Sequence, residues 1–348
     1  LFRKYKVNSI YRSFVISNLD NLIQAVKTLS ISGFSVSMPF KEKMLKKVDI
    51  LDDTAKKTGS INTVIIKNKK LIGYNTDLFG AEKAISKIKI KKNDNILIIG
   101  SGGTSRTISY ALKKKFNLNN IFILSRNNKS SRKLINDLNL FRFCPTKKFD
   151  ILINCTPIGM SNEKKLPIAE SYIKNCKSVI DFVNNPPNTK FINFAKKYHK
   201  KFIDGIFISL NQLSRQFHLY SNKKISYNKI NDIFLNIKND NIIKKKTKNY
   251  LKYFENKNIE SLKKIFSPKI KIIDWENNIK GKKNVMAFNK KIFSKVKKIR
   301  IKILKISVIN QIAFAELKID IDNNKILVLD IIKFNNEKMI TSIEAFKR

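Results

Sequence analysis

Apolar positions along the chain change their period several times, and each change marks an element. Ile10-Tyr11-Arg12-Ser13-Phe14-Val15 reads as a strand, whereas Leu22, Ile23, Val26 and Leu29 fall at helical spacing. A helix is expected over 43–58. Val64-Ile65-Ile66 and Lys70-Leu71-Ile72 then flank Lys67-Asn68-Lys69 as the arms of a hairpin, and another helix is expected over 78–88. From there the pattern becomes continuous apolar runs at Asn95-Ile96-Leu97-Ile98-Ile99, Ile121-Phe122-Ile123-Leu124, Asp150-Ile151-Leu152-Ile153 and Val179-Ile180. Such runs predict strands buried on both faces, the parallel sheet of an α/β fold. A helix from Asn211 to about Tyr220 closes this part of the chain.

Residues 221–248 are rich in Lys and Asn with enough Ile for a helix, and a domain boundary is expected near 241–247. Beyond it the chain changes character. Leu251, Phe254, Leu262, Ile265 and Phe266 suit helices within 250–266, followed by a strand over 270–275 and a helix over 285–293. Ala315, Leu317, Ile319 and Ile321 then alternate with Glu316, Lys318, Asp320 and Asp322, the period of a half-buried strand. Asp322-Asn323-Asn324-Lys325 turns a hairpin into 326–334, and 339–346 completes an antiparallel sheet. Asp274 and Glu276 are the only acids that can be nominated for a pocket in this part, and surface placement is the favoured reading for both.

Composition changes this picture little. The chain has 348 residues, enough for two or three domains, and 43% hydrophobic content supports a sizeable core. Its 71 basic against 26 acidic residues give a net charge of +45, which prompts a polyanion reading. Lysine is spread evenly with abundant Ile and Asn, however, as codon bias in an AT-rich genome would write it, and no basic stretch carries interleaved aromatics. Specific nucleic-acid binding is therefore not expected. Cys144, Cys155 and Cys176 are odd in number and lack CxxC spacing, so neither a disulfide framework nor a metal site is expected. His199 and His218 are solitary. With no apolar run of membrane length and no signal peptide, a reduced, soluble, cytoplasmic protein is the expectation.

Candidate chemistry concentrates in Gly33-Phe34-Ser35-Val36-Ser37-Met38-Pro39-Phe40-Lys41, Gly59-Ser60-Ile61-Asn62-Thr63 and Gly73-Tyr74-Asn75-Thr76-Asp77-Leu78-Phe79-Gly80. Small polar residues, one lysine and one aspartate punctuate short apolar runs at turn positions, as at strand ends that present side chains. A lysine in a closed pocket can shed hydration and shuttle a proton; taken alone, Lys41 reads as one solvated side chain among many. Asp77, at a helix entry, reads as a cap or as the partner of Lys41. A separate feature is the strand–turn–helix at Ile99-Gly100-Ser101-Gly102-Gly103-Thr104-Ser105-Arg106. Such turns offer backbone N–H groups and a helix N-terminus to a pyrophosphate. Arg126 and Lys129 follow the next strand, where an NAD site would place an acid. Arg126 suits a 2′-phosphate, or is an ordinary surface arginine.

Together these blocks resemble the shikimate dehydrogenase family, whose pattern reads Asn-Val-Thr-x-Pro-x-Lys, Gly-Ala-x-Asn-Thr and Gly-x-Asn-Thr-Asp-x-x-Gly. Ser125-Arg126-Asn127, Asn154-Cys155-Thr156-Pro157-Ile158-Gly159-Met160 and Asp204-Gly205-Ile206 with Gln212 extend the resemblance over about 1–220. It implies a substrate domain over 1–80 completed by a helix over 206–235, and a Rossmann NADP-binding domain over 81–205. It also implies NADPH-dependent, reversible reduction of 3-dehydroshikimate to shikimate, on the route to chorismate and aromatic amino acids. Lys41 and Asp77 would be catalytic, with Ser37, Asn62 and Gln212 binding substrate. Gly100, Ser101, Gly102, Gly103, Thr104, Ser125, Arg126, Thr156, Phe182 and Gly205 would bind NADP(H). Ser35 stands where the family has Asn, and Asn184 where it usually has Tyr. The family's Ser-x-Ser-Pro segment, which gives two hydroxyls to the substrate carboxylate, precedes Leu1; truncation and genuine loss are both open readings.

Residues 248–348, helices followed by a curved sheet, resemble the α+β cone of SnoaL-like or ketosteroid-isomerase-like domains, supported by Tyr250–Leu262 and by Trp275 before Gly281. No reaction is assigned to them. A quinate/shikimate dehydrogenase-like paralogue, or a nucleotide-binding relic serving as a platform, are the alternatives to the dehydrogenase reading. The expected partner is a small-molecule substrate, with no membrane and with a homodimer left open.

Overall fold

The computed structural model describes residues 1–162 and 165–347, which fall into two compact units, 1–230 and 231–348. In the first, α1 (Leu19–Thr28) leads to β1 (Gly33–Ser35), β2 (Ile50–Leu51), α2 (Asp53–Thr58), β3 (Thr63–Lys67), β4 (Lys70–Tyr74) and α3 (Asp77–Ile88). The strands form one sheet in the order β1-β3-β4-β2. Asn68 and Lys69 turn the β3–β4 hairpin with positive φ at both positions, the turn whose twist matches its flanking strands.

Two expectations fail here. Residues 10–15 form no strand: Ile10, Phe14 and Val15 lie exposed, and their backbone pairs with no described strand. Nor is 43–58 one helix. A 3-10 turn at Lys43–Lys46 gives way to β2, because Ile50 and Leu51 pair in parallel with Ile72 and Gly73. Asp52 then caps α2 by accepting from the Ala55 N–H. Asp52 and Asp53, adjacent inside an otherwise helical pattern, were the signal.

The apolar runs form a parallel six-stranded sheet, β10-β9-β8-β5-β6-β7. Its strands are β5 (Ile96–Ile99), β6 (Ile121–Leu124), β7 (Phe141–Arg142), β8 (Ile151–Asn154), β9 (Ser178–Asp181) and β10 (Lys201–Ile203). Helices α4 (Gly103–Tyr110), α5 (Asn128–Leu138), α6 (Glu170–Asn175), α7 (Lys190–Lys197) and α8 (Gly205–Ser221) connect or follow them. Ile96 and Ile98 face one core with Ile108 and Leu112, whereas Leu97 and Ile99 face another with Phe191 and Ile192. The sheet is thus covered on both sides, as continuous apolar strands require.

A continuous helix, α9 (Tyr227–Glu255), runs through the expected linker at 241–247; the division of the two units falls within it, at 230/231. In the second unit α10 (Ile259–Ile265) and α11 (Lys282–Lys295) accompany a six-stranded sheet, β12-β11-β16-β15-β14-β13. Its strands are β11 (Phe266–Ile273), β12 (Asn278–Lys280), β13 (Ile299–Ile309), β14 (Ile312–Ile321), β15 (Asn324–Phe334) and β16 (Ile340–Lys347). The sheet is mixed rather than antiparallel throughout, because β11 and β16 pair in parallel. Strand β13 lies outside the expected elements, although Ile299, Ile301 and Ile303 alternate with Arg300 and Lys302 and only the isoleucine side is shielded. Among the described residues no helix is long and apolar enough to cross a membrane.

The nominated acids are not in this unit's core. Asp274 accepts from the N–H groups of Glu276 and Asn277 in the β11–β12 turn, and Glu276 is exposed. The core acid is Asp330, 6% exposed on β15 beside Tyr250, with Ala315 and Ala345 as its strand partners. Burial pushes its carboxyl up to about 7. The folded unit therefore holds a proton that the unfolded chain releases near pH 4. Stability is full below pH 4 on this account and is lost as pH rises toward 7, by a few kcal/mol in all. Asp330→Asn is expected to remove this fall and to make the second unit more stable than wild type at pH 8. The fluorescence of Trp275, the chain's one tryptophan, followed during denaturant unfolding at pH 5 and pH 8, checks it.

Candidate active site

Lys41 and Asp77 come from separate turns and meet with Lys41 Nζ 2.5 Å from Asp77 Oδ2, each side chain about one-fifth exposed. Backbone bonds place both turns. Ile61 N–H donates to the Lys41 carbonyl, Val36 N–H to the Asn62 carbonyl, and Asn62 N–H to the Tyr74 carbonyl. The ends of β1, β3 and β4 are thereby stitched together at the edge where the side chains project.

Asp77 is the first residue of α3, and Thr76 occupies the cap position. Of the two readings of Asp77, the geometry realises the pairing. Its Oδ1 accepts from Asn62 Nδ2 at 2.7 Å and its Oδ2 from Lys41, with the positive end of the α3 dipole behind the carboxylate. Asn62 is buried, and its Oδ1 accepts from the Thr63 and Thr76 hydroxyls and the Thr76 N–H. Gln212, on α8, donates to Thr76 Oγ1 at 3.1 Å. It reaches this far because α3 and α8 touch at Gly80, where an added Cβ would lie 2.7 Å from the Ile208 carbonyl oxygen. Ser37 sits on the same loop as Lys41 but is exposed and makes no side-chain hydrogen bond to a described residue. Ser35 accepts from Tyr11 and Gln216, and Asn184 donates to Ser209.

The glycine turn has the shape of an anion cradle. Gly100 has φ +117° and lies against Ser105 and Cys155, so a side chain there would be both strained and crowded. Gly102 holds the cap position before α4 with open space where a Cβ would stand, leaving the first N–H groups of the helix, including those of Gly103 and Thr104, without a side-chain cap. Ser101 Oγ lies 2.7 Å from Ser125 Oγ and 2.5 Å from Ser130 Oγ, joining the turn to the end of β6. Arg126 and Lys129 are exposed and hydrogen-bond to no described residue, two free cations beside this turn. No acid occupies the end of β6. Thr156 turns its hydroxyl onto Asn154 Oδ1, Phe182 packs half-buried on the core, and Gly205 lies under the Val183 carbonyl. Desolvation pushes the Cys155 thiol well up, which suits packing rather than nucleophilic attack.

Sequence reasoning passed over Thr63, Thr76, Gln216 and Asp181 as site residues. Asp181 is fully buried at the end of β9 and accepts from Asn154, Thr189 and the Val183 N–H; burial pushes its carboxyl up. An aspartate ending an apolar strand was its only signal. Gln216 had none, since one glutamine on an amphipathic helix looks like any solvated residue.

The fold and this arrangement define a two-module α/β oxidoreductase: a lysine–aspartate pair on one sheet edge, a glycine turn shaped as an anion cradle on another. Residues 1–64 match the shikimate dehydrogenase substrate binding domain, and 243–327 a SnoaL-like domain. The chain is 36% identical over 256 residues to the NADP(+) shikimate dehydrogenase of Methanococcus vannielii, a match spanning 67% of this chain and 88% of that one. To the Pyrococcus furiosus protein it is 34% identical over 230 residues, 64% of this chain and 83% of that one. Among solved structures, shikimate dehydrogenase from Aquifex aeolicus superposes with a TM-score of 0.61 at 30% identity, over 66% of this chain and 87% of that one. A shikimate dehydrogenase in complex with NADP+ gives 0.60 at 28%, over 68% and 87%. The chain belongs to the shikimate dehydrogenase family and carries a SnoaL-like domain behind it.

Gly80→Ala is expected to push α8 away from α3, lowering stability by about 1–3 kcal/mol and detaching Gln212 from Thr76. Thermal unfolding, with hydrogen exchange of the α8 amides, reads both effects.

Proposed function

We propose that this chain is an NADP-dependent shikimate dehydrogenase that interconverts 3-dehydroshikimate and shikimate, within the biosynthesis of chorismate and aromatic amino acids. The observation that carries the reading is the Lys41–Asp77–Asn62 constellation in a chain whose glycine turn is flanked by free cations instead of an acid. The residues at the turn fit the cofactor. The open face of Gly102 and the uncapped start of α4 suit the pyrophosphate, and Ser125 with Arg126 suits the 2′-phosphate. Thr156, Phe182 and Gly205 belong to the same cofactor side.

When bound, NADPH supplies hydride to the ketone carbon. The chain supplies the proton. The Lys41 ammonium, held by Asp77, stands ready to hydrogen-bond the ketone oxygen and to protonate it as negative charge develops; in the reverse direction the pair withdraws that proton from the hydroxyl. Asn62 fixes the carboxylate so that the ammonium, not the amide, faces the reacting oxygen. Gln212 and Ser37 border the same edge as further substrate contacts.

Lys41→Ala is expected to cut turnover by about 10²–10⁴-fold, with NADPH affinity near wild type by fluorescence titration. Surviving turnover in shikimate-dependent NADPH formation would remove Lys41 from the chemistry, and a preference for quinate in the same assay would move the substrate assignment. Arg126→Asp is expected to weaken NADP(H) binding by at least about tenfold while leaving NAD(H) unaffected or improved. Steady-state kinetics with each cofactor test this, and unchanged NADP kinetics would rule the role out.

A further inference from the structure

Asp77 holds Lys41 correctly only if Asn62 turns its NH2 group, not its carbonyl, toward the carboxylate. An amide flipped by half a turn would set two oxygens against each other. The Thr76 N–H, 2.8 Å from Asn62 Oδ1, favours the first state, and two hydroxyls behind the site can reinforce it or compete with it. Asn62 Oδ1 faces Thr63 Oγ1 at 2.9 Å and Thr76 Oγ1 at 3.0 Å. A hydroxyl has one proton, and the two threonine hydroxyls also lie 3.2 Å from each other, so each proton can go to Asn62 or to the other hydroxyl, and a donor on the threonine oxygen helps settle which.

Helix α8 supplies both donors. Gln212 and Gln216 are four residues apart and therefore on one face. Gln212 Nε2 donates to Thr76 Oγ1, and Gln216 Nε2 donates to Thr63 Oγ1 at 2.9 Å. The second proton of Gln216 goes to Ser35 Oγ, also at 2.9 Å. Ser35 accepts from Tyr11 as well, at 2.6 Å, and so sends its own proton to Tyr220, 3.1 Å away. Gln216 is only 6% exposed. An amide is costly to bury there unless its bonds are made, and both of its protons are used.

We infer that Gln216 is a positioning residue for the proton-transfer pair: by donating to Thr63 it directs the Thr63 proton onto Asn62 and locks the Asn62 amide onto Asp77. It does not border the reacting atoms and acts through two intermediates. Gln212, which does border them, performs the parallel task through Thr76. The inference also accounts for Ser35, a short hydroxyl that leaves room for the Gln216 side chain and takes its other proton.

This deepens the dehydrogenase reading and rests on it for its kinetic consequence, but not for its structural one. The test uses the full chain with two substitutions of similar length. Gln216→Met removes the donor; Gln216→Glu keeps the shape and replaces the donor by an acceptor. In ¹⁵N-labelled protein, the Asn62 side-chain amide protons are expected to exchange faster in both variants than in wild type. Turnover of shikimate should fall about tenfold in both, with KM for NADP within about twofold of wild type. Thr63→Val added to Gln216→Met should cost little more, because the two act in series. Wild-type behaviour of the Glu variant, or full additivity of the double variant, would overturn the inference by showing that shape alone matters. If the wild-type chain fails to oxidise shikimate, the dehydrogenase reading falls, and amide exchange still decides the role of Gln216.

Discussion

The contact on which the functional half of this molecule depends is a lysine ammonium against an aspartate carboxylate, each about one-fifth exposed. Little stability comes from it. In a partly shielded pair the Coulomb gain is largely offset by desolvation and by ordering two side chains, so the net contribution is small. Its value is positional, and the surrounding structure is arranged to hold it. Three backbone hydrogen bonds tie the Lys41 and Asn62 segments to their neighbours. The start of α3 presents the Asp77 carboxylate at the positive end of a helix, and Gly80, three residues later, lets α8 come close enough for its glutamines to reach the same network.

The two chemical modules share supports. Asn75 lies between Thr76 and the end of β4, and its Nδ2 donates to both Thr58 at the end of α2 and Thr107 on α4. Gly103, at the start of α4, has Ser60 Oγ 3.2 Å from where a Cβ would stand. The helix that would take the pyrophosphate is therefore braced by the same loops that position Asn62 and Asp77. A side chain at Gly103 would press on the Gly59–Thr63 loop and so disturb the Lys41–Asp77 edge together with the anion cradle. Closely spaced small residues in those loops follow from this double duty.

What the sequence made legible were features carried by local rules. Continuous apolar runs marked β5, β6, β8 and β9 within a residue or so, since period and burial agree there. That Lys41, Asn62 and Asp77 come together was legible only through the motif blocks that carry them, since each alone reads as an ordinary solvated or capping residue. The misses have physical causes. Strand-like alternation at 10–15 lacks a described partner strand, and propensity without pairing forms nothing. Residues 43–58 look helical, yet Ile50 and Leu51 gain more by pairing with β4, and Asp52 restarts the helix. Asp274 and Glu276 are the acids next to the tryptophan and so draw attention, while Asp330, flanked by isoleucines and leucines, looks like an ordinary outward-facing position. Register alone puts it inside, level with Ala315 and Ala345.

Charge shows the same division between what composition and structure can tell. With 71 cations and 26 acids, any carboxylate on this surface will find a lysine nearby, so proximity by itself carries no meaning. Burial separates the cases. The lysines of the other described ion pairs keep 37–67% of their side chains exposed, as surplus cations do when they settle on the nearest acid through water. Lys41 keeps 20% and its acid is already held by a buried amide. Partial desolvation is a cost that an incidental pair would avoid by swinging outward. Lys41 accepts it because the backbone on both sides is pinned, and it is this confinement, more than the presence of one more lysine beside one more acid, that sets the pair apart from the incidental ones.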